Sequence, residues 1–131
     1  MTTYAFTVPI RTVSEMNNAG RGHWILRHKR FTAQKAAVTL ACDTLMPPRK
    51  HVIYPCVVRL TRISAGTLDD DGLRSALKAV RDAIAKWLGV DDGDVSRVQY
   101  QYEQELCKRK EYGVRVTVMP GARLEERVVA G

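Results

Sequence analysis

Apolar positions along this chain follow two rhythms, period two and period three to four, separated by proline, glycine and aspartate. Tyr4, Phe6 and Val8 alternate with Ala5 and Thr7, so residues 3–9 are predicted to form a strand that Pro9 closes. Residues 11–23 (RTVSEMNNAGRGH) are rich in Asn, Gly and polar side chains and read as a loop. A helix is expected over residues 32–45, with Thr32 as its N-cap and Ala36, Ala37, Leu40 and Ala41 inside it; Met46-Pro47-Pro48 stops it. Residues 56–63 (CVVRLTRI) return to period two with β-branched side chains, a second strand.

The helical period is clearest further on. Leu73, Leu77, Val80, Ile84, Trp87 and Leu88 make one apolar stripe, and Gly89 stands where a C-terminal glycine stop belongs. Asp91-Asp92-Gly93-Asp94 is a turn. Residues 95–104, with Val98, Tyr100 and Tyr102 on one face, and residues 112–119, with Tyr112, Val114, Val116 and Val118 alternating, read as two more strands. A charged hairpin loop over residues 105–111 is expected to join them, and residues 120–131 to be a loosely attached tail. The expected fold is α/β (α+β): a single domain over residues 1–131, with one small mixed sheet of about four strands packed with two main helices.

A length of 131 residues suits one hydrophobic core and not two. An apolar content of 45% with 27% charged residues excludes a disordered chain. No apolar run approaches the roughly 18 residues of a membrane span. The opening residues carry no basic segment followed by an apolar one, so a soluble cytoplasmic protein without membrane association is expected. Cys42, Cys56 and Cys107 are odd in number and form no Cys-x-x-Cys pair. That fits a reducing compartment and argues against a disulfide scaffold or a zinc knuckle.

The net charge of +7 is unevenly placed. Residues 1–62 hold ten Lys/Arg and only two acids, whereas residues 69–94 hold seven of the fourteen acids. A basic chain attracts polyanions, and a tight aspartate cluster within it repels phosphate unless a divalent cation lies between. Asp69, Asp70 and Asp71 precede the second helix, and Asp91 and Asp92 follow it. A helix of about 16 residues spans about 24 Å, so the two turns share a site only if the chain returns along the sheet or the helix is shorter or kinked. Asp-x-Asp in an extended segment aims two carboxylates the same way, an arrangement that suits Mg²⁺. The same residues also make good helix caps and turns, and sequence alone leaves both readings open.

Residues 68–94, LDDDGLRSALKAVRDAIAKWLGVDDGD, resemble the RusA family of Holliday junction resolvases, often encoded by phages and prophages. The family pattern is Asp-x-Asp-Asn-Leu, then a helical lysine with an aspartate four residues later, then Asp-Asp-x-x-Val. Asp69-Asp70-Asp71-Gly72-Leu73, Lys78 with Asp82, and Asp91-Asp92 with Val95 stand in those places. The first strand ending in Pro9, Asn17-Asn18 before a basic helix, and the strand at 113–118 are similar in kind. Three departures are visible. Gly72 replaces the asparagine, Lys78 lies further from Asp71 than in the family, and a lysine of the following strand has no counterpart in residues 99–104.

The resemblance implies a Mg²⁺-dependent, structure-selective endodeoxyribonuclease, with Mn²⁺ as a substitute ion. It would resolve Holliday junctions and related branched DNA by metal-assisted phosphodiester hydrolysis, as a homodimer in a bacterial or phage-infected cell. Asp69, Asp71, Asp91 and Asp92 would then be the catalytic and metal carboxylates. Lys78 would supply charge to the phosphate, or else pair with Asp82 on the surface. Asp70 is expected to point away, because alternate side chains of an extended segment face opposite sides. Arg21, Arg27, Lys29, Arg30 and Lys35 are candidate phosphate contacts that position DNA without reading its sequence. Trp24 stacks on a base or fills a gap, and Trp87 belongs to the core or a dimer interface. The departures leave an alternative, a catalytically degenerate phage-derived DNA-binding protein of the same fold. A third reading is an interaction protein whose acidic turns are only caps.

Overall fold

The structure, a computed structural model, describes residues 2–14 and 23–124. In chain order the elements are β1 (Tyr4–Val8), α1 (His23–Leu45), β2 (Cys56–Ser64), α2 (Asp70–Ala76), α3 (Lys78–Leu88), β3 (Val98–Leu106) and β4 (Gly113–Pro120), with a short 3-10 turn at Arg49–His51. Together they make an α+β fold, a four-stranded mixed sheet with three helices. Among the described residues no helix is long and apolar enough to cross a membrane.

The strand order is β1-β4-β2-β3. β3 runs parallel to β2, with Val58 opposite Tyr100 and Leu60 opposite Tyr102. β4 is antiparallel to both β2 and β1, with Val116 opposite Leu60 on one side and Phe6 on the other. The expected hairpin over residues 105–111 is therefore not formed. β3 and β4 lie on opposite sides of β2, and their connection crosses its end, where the Cys107 amide donates to the Ser64 carbonyl at 3.0 Å. β2 is paired along both edges, and Val57 and Val58, on opposite faces of it, are both at most 2% exposed.

One face of the sheet carries Phe6, Val8, Val58, Leu60, Val98, Val114, Val116 and Val118, which with Leu73, Leu77, Val80, Ile84 and Leu88 form the core. Burying each such side chain contributes about 1.5–3 kcal/mol before entropy is charged against it. The opposite face is polar: Arg59 bonds Gln101 at 3.0 Å, and Arg115 pairs with Glu105 at 2.8 Å. Gly113 suits the place where β4 meets β1, because a Cβ there would crowd the Val8 carbonyl oxygen at 3.1 Å.

Helix α1 begins nine residues before the expected Thr32, at His23. The Thr32 hydroxyl does not cap; it donates to the His28 carbonyl one turn back at 2.8 Å. Leu26, Arg27, Lys29 and Arg30 are good helix formers, with no glycine or proline among them to stop the turn earlier. Gln34, Val38 and Cys42, spaced one turn apart, are the buried row. The Gln34 amide also donates to the Arg11 carbonyl at 2.9 Å and ties the segment after β1 to the helix.

The single second helix expected from the apolar stripe is two. Leu77, at φ −98° and ψ 3°, interrupts it while staying fully buried. Gly89 ends α3 in the left-handed conformation, at φ 73°, as its position predicts. Residues 95–97, expected in the third strand, belong to the preceding turn. The tail is held further than expected: the Leu124 amide donates to Gln99 Oε1 at 2.7 Å, and the Gly121 amide to the Ile53 carbonyl at 3.2 Å. Residues 125–131 lie outside the described ones.

Candidate functional site

β3 is an edge strand whose alternation aims Val98, Tyr100 and Tyr102 at the helices. Val98 is wholly core, but a tyrosine carries a polar tip that must find a partner near the rim. For Tyr102 the partner is Arg81 of α3, whose Nη1 donates to the tyrosine oxygen at 3.1 Å. Arg74 of α2 stacks over the same ring at 5.6 Å from its centroid. Arg81 also holds the acidic turn after α3: its Nε lies 3.1 Å from Asp92 Oδ2, at ion-pair distance but without the alignment of a hydrogen bond. Its Nη2 is 3.9 Å from Asp82.

Burial alone would lower the Arg81 pKa. The Tyr102 oxygen and then the Asp92 and Asp82 carboxylates outweigh it and hold the guanidinium above its ordinary value. Tyr100 is the opposite case. Its hydroxyl is buried with no hydrogen-bond partner, and burial, with the Cys56 and Asp92 charges after it, pushes its pKa up. A cleft of about 270 Å³ opens beside this pair, lined by Asp70, Leu73, Arg74, Tyr100, Gln101 and Tyr102. Asp70 thus approaches the tyrosines from α2, and Asp92 approaches them from the far end of α3 through Arg81. The helical stretch between the two acidic turns is broken at Leu77.

The aspartates divide by role. Asp69 is the N-cap of α2, and its Oδ1 accepts from the Gly72 amide at 2.7 Å. Asp70 and Asp71 are exposed in the first helical turn. The expectation that Asp70 points away rested on an extended segment. The segment is helical, and Asp70 is the member of this trio that lines the cleft. Asp91 accepts from the Gly93 amide at 2.9 Å, a turn-closing bond, and with Asp92 and Asp82 it lines a shallower depression on the α3 side. Asp94 is held below its ordinary pKa by the Ser96 hydroxyl and by Arg97, at 2.8 Å.

Among the described residues no three His, Cys, Asp or Glu side chains lie close enough to hold a metal ion. Among the described residues there is therefore no closed protein cage. Mg²⁺, however, commonly takes one or two carboxylates and completes its shell with water and substrate phosphate. Asp70 lines the tyrosine cleft and Asp92 the depression on the α3 side, so each offers one carboxylate to such a shell.

Lys78 opens α3, exposed, and lines neither the cleft nor the depression. The expected pairing of Lys78 with Asp82 is replaced by that of Arg81 with Asp82. Arg21, with the Asn17-Asn18 loop, lies outside the described residues. Arg27, Lys29, Arg30 and Lys35 all lie on α1. At 3.6 residues per turn Lys29 lies almost opposite Arg27 and a quarter-turn or more from Arg30, so they form no single stripe. Arg27 stacks over Phe31 at 5.2 Å, and Lys35 lines a groove between α1 and α3 with Asp43, Asp82 and Trp87. The Trp87 indole donates to Asp43 at 2.9 Å and packs against the core edge, whereas Trp24 is 72% exposed.

Sequence reasoning missed Arg81, Tyr100 and Tyr102 as site residues. The signal was present: two tyrosines on the inward face of a strand, and two arginines, Arg74 and Arg81, seven residues apart on the helices above it. Compared with known proteins, the chain matches no family model and no curated protein.

Proposed function

We propose that the protein is a Mg²⁺-dependent, structure-selective endodeoxyribonuclease of the RusA type that acts on four-way junctions and related branched DNA. What supports this most is the convergence of two acidic turns, through Asp70 and Asp92, on the Tyr100–Tyr102 pair in a chain of net charge +7. In this reading Asp70 and Asp92 hold the divalent ion, which would polarise the scissile phosphate and lower the pKa of an attacking water. Arg81 is a cation held beside Asp92 that would exchange this carboxylate for a phosphate oxygen as the strand enters. Tyr102 keeps Arg81 oriented, and the partnerless Tyr100 hydroxyl is a donor for the same phosphate. Lys and Arg side chains of α1 neutralise phosphates further along the arms. Two symmetry-related incisions need two sites, so the active species is a homodimer.

Two observations favour the second reading, a DNA-binding protein that has lost hydrolysis. The Asp69 carboxylate is engaged as a helix cap, and no three carboxylates gather among the described residues. Cleavage of a labelled four-way junction in Mg²⁺, beside a linear duplex and the Asp92→Asn variant, decides between them. Paired nicks on the junction alone, lost in Asp92→Asn, are expected. Junction binding without nicks in either Mg²⁺ or Mn²⁺ would establish the second reading. Light scattering that finds only monomer with junction bound would remove the dimer.

A further inference from the structure

A different cluster sits where the β3–β4 connection crosses the end of β2. Arg11, Thr12, Ser64, Arg109, Lys110 and Tyr112 line a cleft of about 380 Å³ there, and no carboxylate lines it. Arg11, Arg109 and Lys110 make no ion pair among the described residues. Arg62 lies behind Thr12, 7% exposed. Its Nε donates to Thr12 Oγ1 at 3.1 Å, its Nη2 to the Thr12 carbonyl at 3.1 Å and its Nη1 to the Gly66 carbonyl at 2.9 Å. All three acceptors are neutral, so a buried cation stands behind three exposed ones without a counter-charge, an arrangement that attracts an anion. Burial and the neighbouring Arg11 charge both lower the Arg62 pKa.

Lys110 supplies an independent observation. Among the described residues it is the one non-glycine with positive φ, at 74°. It occupies the third position of a turn closed by the Glu111 amide on the Lys108 carbonyl at 3.1 Å. Glycine or asparagine suits that position, and a lysine is held there against backbone strain. Beside it Tyr112 is 42% exposed and offers an aromatic face. The segment that carries Arg11 and Thr12 continues to Ser14, which packs beside Gly72 at the start of α2. The segment that lines the cleft thus ends beside the start of α2.

We propose that this cleft binds the phosphodiester backbone of a nucleic-acid strand, the phosphate among Arg11, Arg109 and Lys110 and a base against Tyr112. The choice of nucleic acid as the phosphate's source rests on the function proposed above; the anion site itself rests on the cleft. The test is fluorescence anisotropy of the full chain with a short labelled single strand over a range of salt. Lys110→Gly removes one cation and relieves the strained turn, so it is expected to melt no lower than wild type. Yet it should bind about tenfold more weakly, and Arg109→Ala with Lys110→Gly should lower the salt slope by about 0.7 for the lost phosphate.

Affinities of both variants within about twofold of wild type, with an unchanged slope, would overturn the proposal. Orthophosphate that shifts the Lys110 amide resonance at lower concentration than the strand does would assign the cleft to a small phosphate ligand and overturn the nucleic-acid assignment. Junction cleavage by the same variants keeps the two ideas apart. Strand binding lost in the variants, with no cleavage even by wild type, retains the cleft and removes the nuclease. Cleavage with undiminished affinity in the variants removes the cleft and retains the nuclease.

Discussion

Replacing Asp69 separates two roles that one carboxylate can hold. As the N-cap of α2 it accepts the Gly72 amide at 2.7 Å, and α2 has only seven residues, so this bond satisfies one of very few free amides at its start. Losing an N-cap costs about 1 kcal/mol, with a further 0.3–1 kcal/mol from the charge at the positive end of the helix. Asp69→Ala should therefore lose about 1–2 kcal/mol in urea unfolding, a melting shift of roughly 3–6 °C in a chain of this size. Asp69→Asn keeps a side-chain oxygen in the same place but not the charge, and should lose only the charge contribution, about 0.3–1 kcal/mol. Junction cleavage is measured on the same two proteins. If Asp69 only caps, Asp69→Asn cleaves like wild type. If it also serves the phosphate, Asp69→Asn is stable and inactive. An Asp69→Asn protein as unstable as Asp69→Ala would refute the capping argument. Gly72→Asn is the natural companion, since a Cβ at Gly72 would come within 2.8 Å of Asp69 Oδ1 and push the carboxylate off its cap.

Arg81→Met leaves the Tyr102 oxygen and Asp92 without their guanidinium and should cost about 1–2 kcal/mol in urea unfolding. Its coupling to Asp92→Asn in a double-mutant cycle should be about 0.5–1 kcal/mol, because both groups are partly solvated, and additive losses would remove the pair from the account. Leu77→Ala opens a cavity at the fully buried break between α2 and α3, with an expected loss of about 2–5 kcal/mol by the same assay; a loss below about 1 kcal/mol would show that the break is loosely packed. Cys42 and Cys56 are buried and Cys107 is half-buried, so a thiol reagent should label one cysteine in the native protein and all three in denaturant. Burial raises Cys42 from 9.0 to about 12 and Cys56 to about 11. The unfolded chain therefore loses these protons first, and stability is unaffected below pH 9 and falls above it. The slope should approach about 1.4 kcal/mol per pH unit for each thiol until its folded value is passed, and Cys42→Ala with Cys56→Ala should flatten it.

The four strands were legible because each keeps period two over five or more residues, and Gly89 was legible because a helix end needs a residue that tolerates positive φ. The strand order was not. A six-residue connection after β3 favours a hairpin by proximity, and only the unbroken apolar run Cys56-Val57-Val58, all three buried, hints that β2 has two neighbours. The start of α1 was misplaced because a threonine hydroxyl satisfies a helix carbonyl as readily as it caps. Leu77 was unreadable as a break, since it keeps the apolar stripe intact on both sides. Of the candidate site, the two acidic turns were legible at either end of a helical stretch, but Asp70 reads as extended in the sequence where it is helical. Arg81 escaped notice because its partners, Tyr102 and Asp92, are brought to it only by the fold.

The strand order bears on when the sheet can assemble. β4 is the inner neighbour of both β1 and β2, yet among the described strands it is the last to be synthesised. Until Gly113–Pro120 has left the ribosome, β1 has no strand to pair with and β2 has only β3, so the nascent chain carries two apolar strand edges in waiting. Pairing the two ends of the chain also makes the contacts long-range, which slows folding. A chain cut short before Gly113 loses the middle of its sheet and leaves the first strand detached.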